Sequence, residues 1–172
     1  MKRVCIAIVD AARARLYTYQ EDADPARQML EVRDLTNPGR RMKAGDMFSE
    51  TRPALARGGG RNMTGEPGST KDDHRDDHIE MMDMKFAKEV IDEIEQILRT
   101  EAYGRLILAS PPKMLGELRK QSSSLRRDGL IVDELPEGLS YMTSAQLHDH
   151  LAGLSLIPGR TRLRMDPSQR RV

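Results

Sequence analysis

Three consecutive glycines flanked by arginines form the sequence pattern that most directly suggests binding chemistry. Glycine lets a backbone approach a crowded surface and adopt positive φ, while guanidinium groups bind phosphate oxygens in pairs. The pattern predicts a nucleic-acid-binding site made of Arg52, Arg57, Gly58, Gly59, Gly60 and Arg61. The alternative, a solvated loop without a ligand, stays open.

Carboxylates at strand ends would suggest a different chemistry, that of a metal-dependent nuclease. Asp10 follows the first apolar run and fits one such position. The fourth predicted strand, however, ends at Ala109 and Ser110 without an acid, so the carboxylate set for Mg²⁺ is incomplete. We therefore interpret Asp10 as a turn residue.

Histidines are the remaining candidates for metal binding. His74 and His78 lie four residues apart, on one face of a helix, among carboxylates that also suit a helix N-terminus. Two possible ligands without a third are too few to identify a metal site, so we predict no metal and no cofactor. Whether His74 and His78 bind a metal stays open. His148 and His150 are predicted to lie on the surface of the last helix, and the methionines of residues 81–84 are predicted to fill the core.

Hydrophobic patterning predicts the elements that would position these residues. Strands are expected at residues 3–9, 13–19, 29–35, 105–109 and 129–135. A long helix is expected to end before Gly104, a short one to begin at Pro111 and Pro112, and a last one to begin at the capping-box sequence of residues 143–146. The order β-β-β-α-β-α-β-α predicts an α/β domain with a five-stranded mixed sheet and helices on both faces, the ribonuclease-H-like arrangement.

Residues 37–71 are predicted to form a long inserted loop, because glycine and proline recur there and no apolar period survives. Six basic residues face two acids between residues 37 and 61, a net charge of +4. The predicted organisation is one domain at residues 1–152 and a basic tail at residues 153–172, with five arginines against one acid.

Composition restricts the class of protein further. The formal net charge is only +1, so bulk charge does not indicate nucleic-acid binding. Cys5 is the single cysteine, which excludes an internal disulfide and suits a reducing compartment, and its apolar surroundings predict burial. The first apolar run stops at Asp10, too short for a signal peptide, and no stretch approaches the ~20 apolar residues of a membrane span. We expect a cytoplasmic protein that is not associated with membranes.

Four ordered patterns carry a resemblance to a known family. They are the hairpin of residues 9–17, the helix centred on Phe86 and Ala87, residues 106–112 with Leu115 to Arg119 after them, and residues 147–151. On these the chain resembles the bacterial host attachment protein family, which is related to the middle domain of archaeal and eukaryotic class I peptide-release factors. The resemblance implies the fold of that middle domain.

The resemblance also implies what the inserted loop does. In the release factors this loop carries Gly-Gly-Gln and assists hydrolysis of the peptidyl-tRNA ester. Here Gly58, Gly59 and Gly60 stand without the glutamine, so the side-chain amide that positions water is missing. Enzymatic activity is therefore left open, with a noncatalytic role favoured.

The function that follows is association with the ribosome or ribosomal RNA in translational rescue, dormancy or regulation, with a translation factor as a further partner. Two alternatives remain: a noncatalytic interaction protein needed for attachment to host cells, and peptidyl-tRNA ester hydrolysis through the Gly-rich loop. No oligomeric state is predicted.

Overall fold

The computed structural model describes residues 3–23, 28–41, 70–100, 103–125 and 129–160, and the side chains of residues 41, 70–76 and 124 are outside the description. Five strands lie in this part of the chain: β1 Arg3–Val9, β2 Arg13–Gln20, β3 Met29–Thr36, β4 Arg105–Ala109 and β5 Ile131–Leu135. The helices there are α1 Pro38–Arg41, α2 Thr70–Thr100, α3 Pro112–Gln121 and α4 Ser144–Gly153, with a 3₁₀ turn at Ser122–Leu125.

The strands form one mixed sheet in the order β3-β2-β1-β4-β5. The antiparallel part is the meander β1-β2-β3, whereas β1 and β4, and β4 and β5, pair in parallel. Parallel pairs need long crossover connections, and α2 and α3 lie in the two connections between them. The predicted five-stranded mixed sheet is confirmed.

Strand β1 lies at the centre of the core, because its side chains are buried on both faces of the sheet. Cys5, Ala7 and Val9 pack with apolar residues of α2 and α3. The intervening residues, such as Ile6 and Ile8, pack with Leu147 and Leu151 of α4. Helices therefore cover both faces, as predicted.

The burial predicted for Cys5 is also confirmed. This burial raises the pKa of its thiol to about 12, so the sulfur stays protonated.

Helices occupy both ends of residues 37–71, the range predicted as the inserted loop. Residues 38–41 form α1, and α2 already begins at Thr70. The reason for α1 is local: Asn37 accepts a hydrogen bond from the Gly39 amide through its side-chain oxygen, and Pro38 is preorganised for a first helical position.

At the other end of the chain, residues 154–160, assigned to the tail by sequence, lie against the domain, and Ile157 is buried.

The prediction that His148 lies on the surface is wrong. His148 is only 3% exposed, its Nε2 lies 3.0 Å from the Pro158 carbonyl oxygen, and its ring meets Tyr19 edge-on. Because a carbonyl can only accept, Nε2 carries the proton of this bond. The segment after α4 covers this side of the helix. His150 stays partly exposed, with Nε2 2.9 Å from Glu137 Oε2.

The methionines of α2 also differ from expectation. Met81 is 45% exposed and Met84 is 44% exposed, so neither fills the core, and Met82 is half-buried. The buried residues of the helix, including Phe86 and Val90, lie on its other side. The methionine pattern alone does not show which side of a helix meets the sheet.

The capping box at the start of α4 is present as predicted, and it gives a first testable expectation. Thr143 Oγ1 accepts from the Gln146 amide at 3.3 Å, and Gln146 Oε1 accepts from the Thr143 amide at 2.9 Å. We expect Thr143→Ala to lower the free energy of unfolding by about 1 kcal/mol, measured by urea denaturation. Thr143→Ser keeps the oxygen and should retain most of the stability, and equal losses in the two variants would contradict a capping role.

Candidate functional site: the base of the inserted segment

The six residues predicted to bind nucleic acid, Arg52, Arg57, Gly58, Gly59, Gly60 and Arg61, lie outside the described residues. So does the side chain of His74, while His78 is half-buried on α2. The structure does describe the two supports between which residues 42–69 run, namely α1 and the beginning of α2. We call Asn37, Gly39, Arg40, Met82 and Asp83 the loop base.

Asn37 connects the end of β3 to the turn between β1 and β2. Its amide donates to the Ala12 carbonyl at 2.8 Å, and its Nδ2 donates to the Ala11 carbonyl at 2.9 Å. Its Oδ1 accepts from the Gly39 amide at 3.1 Å. The side chain is buried, and three hydrogen bonds fix both its position and the direction in which the chain leaves the sheet.

A two-point ion pair joins α1 to α2. Arg40 Nε donates to Asp83 Oδ1 at 3.0 Å, and Arg40 Nη2 donates to Asp83 Oδ2 at 2.6 Å. The Asp83 side chain is only 4% exposed, and the Arg40 side chain is 31% exposed. The hydrogen bond to Asp83 raises the pKa of Arg40. Paired hydrogen bonds of this kind fix orientation as well as distance, so the two supports are held in one geometry.

Gly39 allows these helices to approach closely. A Cβ placed on Gly39 would lie 1.9 Å from the Met82 sulfur, so a larger residue would require the methionine side chain to move. The close contact places α1 directly against α2 at the level of Asp83.

Helix α2 extends well beyond this point. From Thr70 to Asp83 it rises about 20 Å, at 1.5 Å per residue. Of its described side chains, those of residues 77–82 are all exposed or half-buried, and Asp83 is the first buried one. The described side chains of residues 77–82 therefore contribute little to the core.

Asp10 organises the turn on which the loop base rests. Its Oδ1 accepts from the amides of Ala12 and Arg13, both at 2.7 Å, and its Oδ2 accepts from the Ser140 hydroxyl. The turn role predicted for Asp10 is thus confirmed. Both carboxylate oxygens are used in these bonds, and the described ranges contain no group of three or more potential metal ligands.

The most informative contacts of the loop base were not predicted from sequence. Arg40 was counted with the positive charges of the inserted segment, and Asp83 belonged to no motif. They are separated by 43 residues, so no local pattern links them. The pair Asn37-Pro38 is a helix-start signal that would have revealed α1.

Comparisons with known proteins add a family and a fold. A family model described as "Protein required for attachment to host cells" matches residues 5–151. No curated protein matches the chain. Among solved structures, an archaeal translation termination factor, aRF1, superposes with a TM-score of 0.51 at 14% identity, covering 91% of this chain and 35% of that one. The chain therefore spans about a third of that factor's length and shares the fold of that part. No described helix is long and apolar enough to cross a membrane.

Proposed function

We propose that this chain, which belongs to the family of proteins required for attachment to host cells, associates with the ribosome or its RNA in translational rescue, dormancy or regulation. The contact in this proposal is the segment of residues 42–69, with Arg52, Arg57, Gly58, Gly59, Gly60 and Arg61 at its centre. We place this activity in the cytoplasm.

The observation that carries the proposal is the geometry of the loop base. Asn37 and the Arg40–Asp83 pair fix where the segment leaves the domain, and the early turns of α2 extend about 20 Å beyond Asp83. Between these fixed ends, residues 51–65 carry three arginines and no acid, although residues 42–69 as a whole have a net charge of only +1. A local group of arginines on a fixed scaffold suits binding to the phosphates of a large, negatively charged partner.

The distribution of charge supports the same segment. Eight arginines of the described residues contact a carboxylate within the domain: Arg13, Arg15, Arg33, Arg40, Arg99, Arg105, Arg119 and Arg160. Their charge is already largely compensated. Arginines whose side chains lie outside the description are the other candidates for phosphate contacts, among them those of residues 42–69 and of the basic tail after residue 160.

The fold shared with a translation termination factor supports a partner in the translation machinery. We propose a translation factor as a further partner. Hydrolysis of peptidyl-tRNA is not part of this proposal. The release factors that the chain resembles carry Gly-Gly-Gln, whereas Gly58, Gly59 and Gly60 are followed by Arg61 and no glutamine is present there. The proposed role is binding.

Sedimentation tests the proposal directly. Tagged full-length protein from growing and from starved cells is expected to sediment with ribosomal fractions at low salt and to leave them at high salt, because phosphate contacts are salt-dependent. A matched variant with residues 42–69 replaced by a short Gly-Ser linker should stay near the top of the gradient. If the full-length protein stays there too, at low salt and under starvation, the proposal is wrong.

The family description favours a second candidate, a noncatalytic interaction protein that acts in attachment itself. Labelling intact cells with a membrane-impermeant biotin reagent distinguishes the two. We expect no label on the protein while a known surface protein is labelled in the same sample. Labelling of this protein would contradict the cytoplasmic proposal and favour direct attachment.

A further inference from the structure

Three parallel strands, β1, β4 and β5, end at the same edge of the sheet, which we call the carboxyl edge. The turn between β1 and β2 lies there, and Asn37 of the loop base donates two hydrogen bonds to carbonyls of this turn. The loop base therefore stands at the carboxyl edge. Other side chains exposed at this edge are placed to meet the partner of the inserted segment.

Tyr141 lies at the carboxyl edge, in the connection between β5 and α4, and is 78% exposed. Among the described residues it is the most exposed large hydrophobic one. Tyr17, Tyr19 and Phe86, by contrast, are buried in the core. The Tyr141 ring contributes little to the core, so packing within the domain does not explain an aromatic residue at this position.

The backbone on both sides of Tyr141 is held by hydrogen bonds to the β1–β2 hairpin. On one side the Ser140 hydroxyl donates to Asp10 Oδ2, and Asp10 also organises the turn that the loop base contacts. On the other side the Met142 carbonyl accepts from Arg15 Nη1 at 2.7 Å. A ring on a fixed backbone loses little conformational freedom when a flat group stacks on it.

A lysine is exposed on the neighbouring connection of the same edge. Lys113 is the second residue of α3 and forms no ion pair with any described residue. The basic residues at the other end of α3 differ, because Arg119 pairs with Glu134 and Lys120 pairs with Glu117. The charge of Lys113 is therefore available for a phosphate oxygen.

The surroundings of Tyr141 indicate the class of partner. The other exposed large hydrophobic residues of the described chain belong to β3, α2, the beginning of β5 and the segment after α4. None belongs to the connections that follow β4 and β5 at the carboxyl edge. A single exposed ring without an apolar patch around it suits one stacked base better than a protein surface.

The connections that carry Lys113 and Tyr141 lie side by side, since a Cβ placed on Gly138 would be 3.3 Å from Pro111 Cγ. An exposed ring and an exposed cation are the groups that contact the bases and the phosphates of single-stranded RNA. We propose that Tyr141 stacks on an unpaired RNA base while Lys113 contacts a phosphate, an inference that rests on the association with the ribosome or its RNA proposed above.

The first measurement uses tryptophan fluorescence. The chain has no tryptophan, so full-length Tyr141→Trp contains a single one. Stacking on a base quenches indole emission, and we expect saturable quenching by a short single-stranded oligouridylate. A chain of abasic nucleotides with the same length and charge should leave the emission unchanged, because it offers phosphates without bases.

The second measurement is the affinity of the full-length protein for oligouridylate. Tyr141→Ala should weaken binding about tenfold, because one stack of a base on an aromatic ring is lost, whereas Tyr141→Phe should retain the affinity. The salt slope should not change, since no charge is removed. The control is Leu154→Ala, which shortens a 44% exposed side chain just after α4 and should leave the affinity unchanged.

Lys113→Gln should give the opposite signature. It is expected to lower the salt slope by about 0.7, the value for one phosphate contact with a single strand. Lys120→Gln removes the same charge from the other end of α3, where Lys120 is paired with Glu117, and should leave the slope unchanged. Titrations with oligouridylate at a series of KCl concentrations measure both slopes.

Four outcomes would overturn the proposal. The first is the absence of saturable oligouridylate binding, and the second is equal quenching by the abasic chain. The third is equal affinity of Tyr141→Ala and the unmodified protein for oligouridylate. The fourth is loss of ribosome sedimentation in Tyr141→Ala without quenching of Tyr141→Trp by the RNA, which would indicate that the ring contacts a protein.

Sedimentation of the unmodified protein separates this inference from the proposed function. If the protein sediments with ribosomes and one of these four outcomes is found, the association stands and the role of Tyr141 is wrong. If the unmodified protein stays out of the ribosomal fractions, both are wrong.

Discussion

Replacing Arg52, Arg57 and Arg61 together by glutamine is expected to lower the affinity for ribosomes about 100-fold at low salt, if each phosphate contact contributes about 1 kcal/mol. The slope of log affinity against log salt concentration should fall by about 0.7–0.9 for each lost contact, because fewer counterions are released. Titration of purified ribosomes at a series of KCl concentrations measures both quantities. Stability should hardly change.

The control must remove the same charge from elsewhere. Arg13, Arg33 and Arg119 have substantially exposed side chains and contact carboxylates within the domain. Replacing these three by glutamine changes the net charge equally and should affect ribosome affinity far less. If both triple variants lose affinity equally, the effect is one of net charge. If neither loses it, the arginines of residues 161–172 become the better candidates.

The glycines of the same segment should behave differently from its arginines. Gly59→Ala or Gly60→Ala keeps every charge but adds a Cβ where the backbone would approach RNA closely or use positive φ. Weaker binding with an unchanged salt slope is therefore the expected signature. A changed slope would mean that the substitution displaces the charged contacts as well.

The largest effect on stability is expected at the loop base. Asp83→Ala should lower the free energy of unfolding by about 2–3 kcal/mol, because it leaves Arg40 partly buried without its carboxylate partner. This value lies below that for a fully buried pair because Arg40 retains contact with solvent. Urea denaturation monitored by circular dichroism measures the change.

Asp92→Ala on the same helix is the control for Asp83→Ala. Asp92 pairs with Lys88 at 3.0 Å, and both side chains are more than 60% exposed. Its loss should change stability by no more than about 0.5 kcal/mol. A double-mutant cycle of Arg40→Ala and Asp83→Ala isolates their coupling. Equal effects at Asp83 and Asp92 would show that the ion pair does not stabilise the loop base.

Sequence reasoning succeeded where a short stretch determines the outcome. The continuous apolar run at residues 4–9 predicted a central strand, and the structure places β1 between β2 and β4 with both faces covered. The Thr143 capping box depends on residues three positions apart and formed as expected. The element order then limited the sheet topology to few choices.

Prediction from the sequence failed where the structure depends on contacts between segments that are distant along the chain. His148 is buried because residues 154–160 fold back over α4, and nothing in the periodicity of α4 indicates this cover. The Arg40–Asp83 pair and the Arg105 bond to the Leu156 carbonyl join positions more than 40 residues apart. Both the loop base and the position of Tyr141 depend on such contacts, so sequence patterns could not reveal them.

The anchoring of the loop base also bears on how this chain can diversify. The supports of residues 42–69 are fixed by Asn37 and the Arg40–Asp83 pair, and these contacts use no residue of the segment itself. Doubling the length of a chain segment between fixed ends costs only about 0.6 kcal/mol of loop-closure entropy. Insertions, deletions and altered charge patterns can therefore accumulate there while the sheet and its helices persist, which lets selection change the partner without rebuilding the domain.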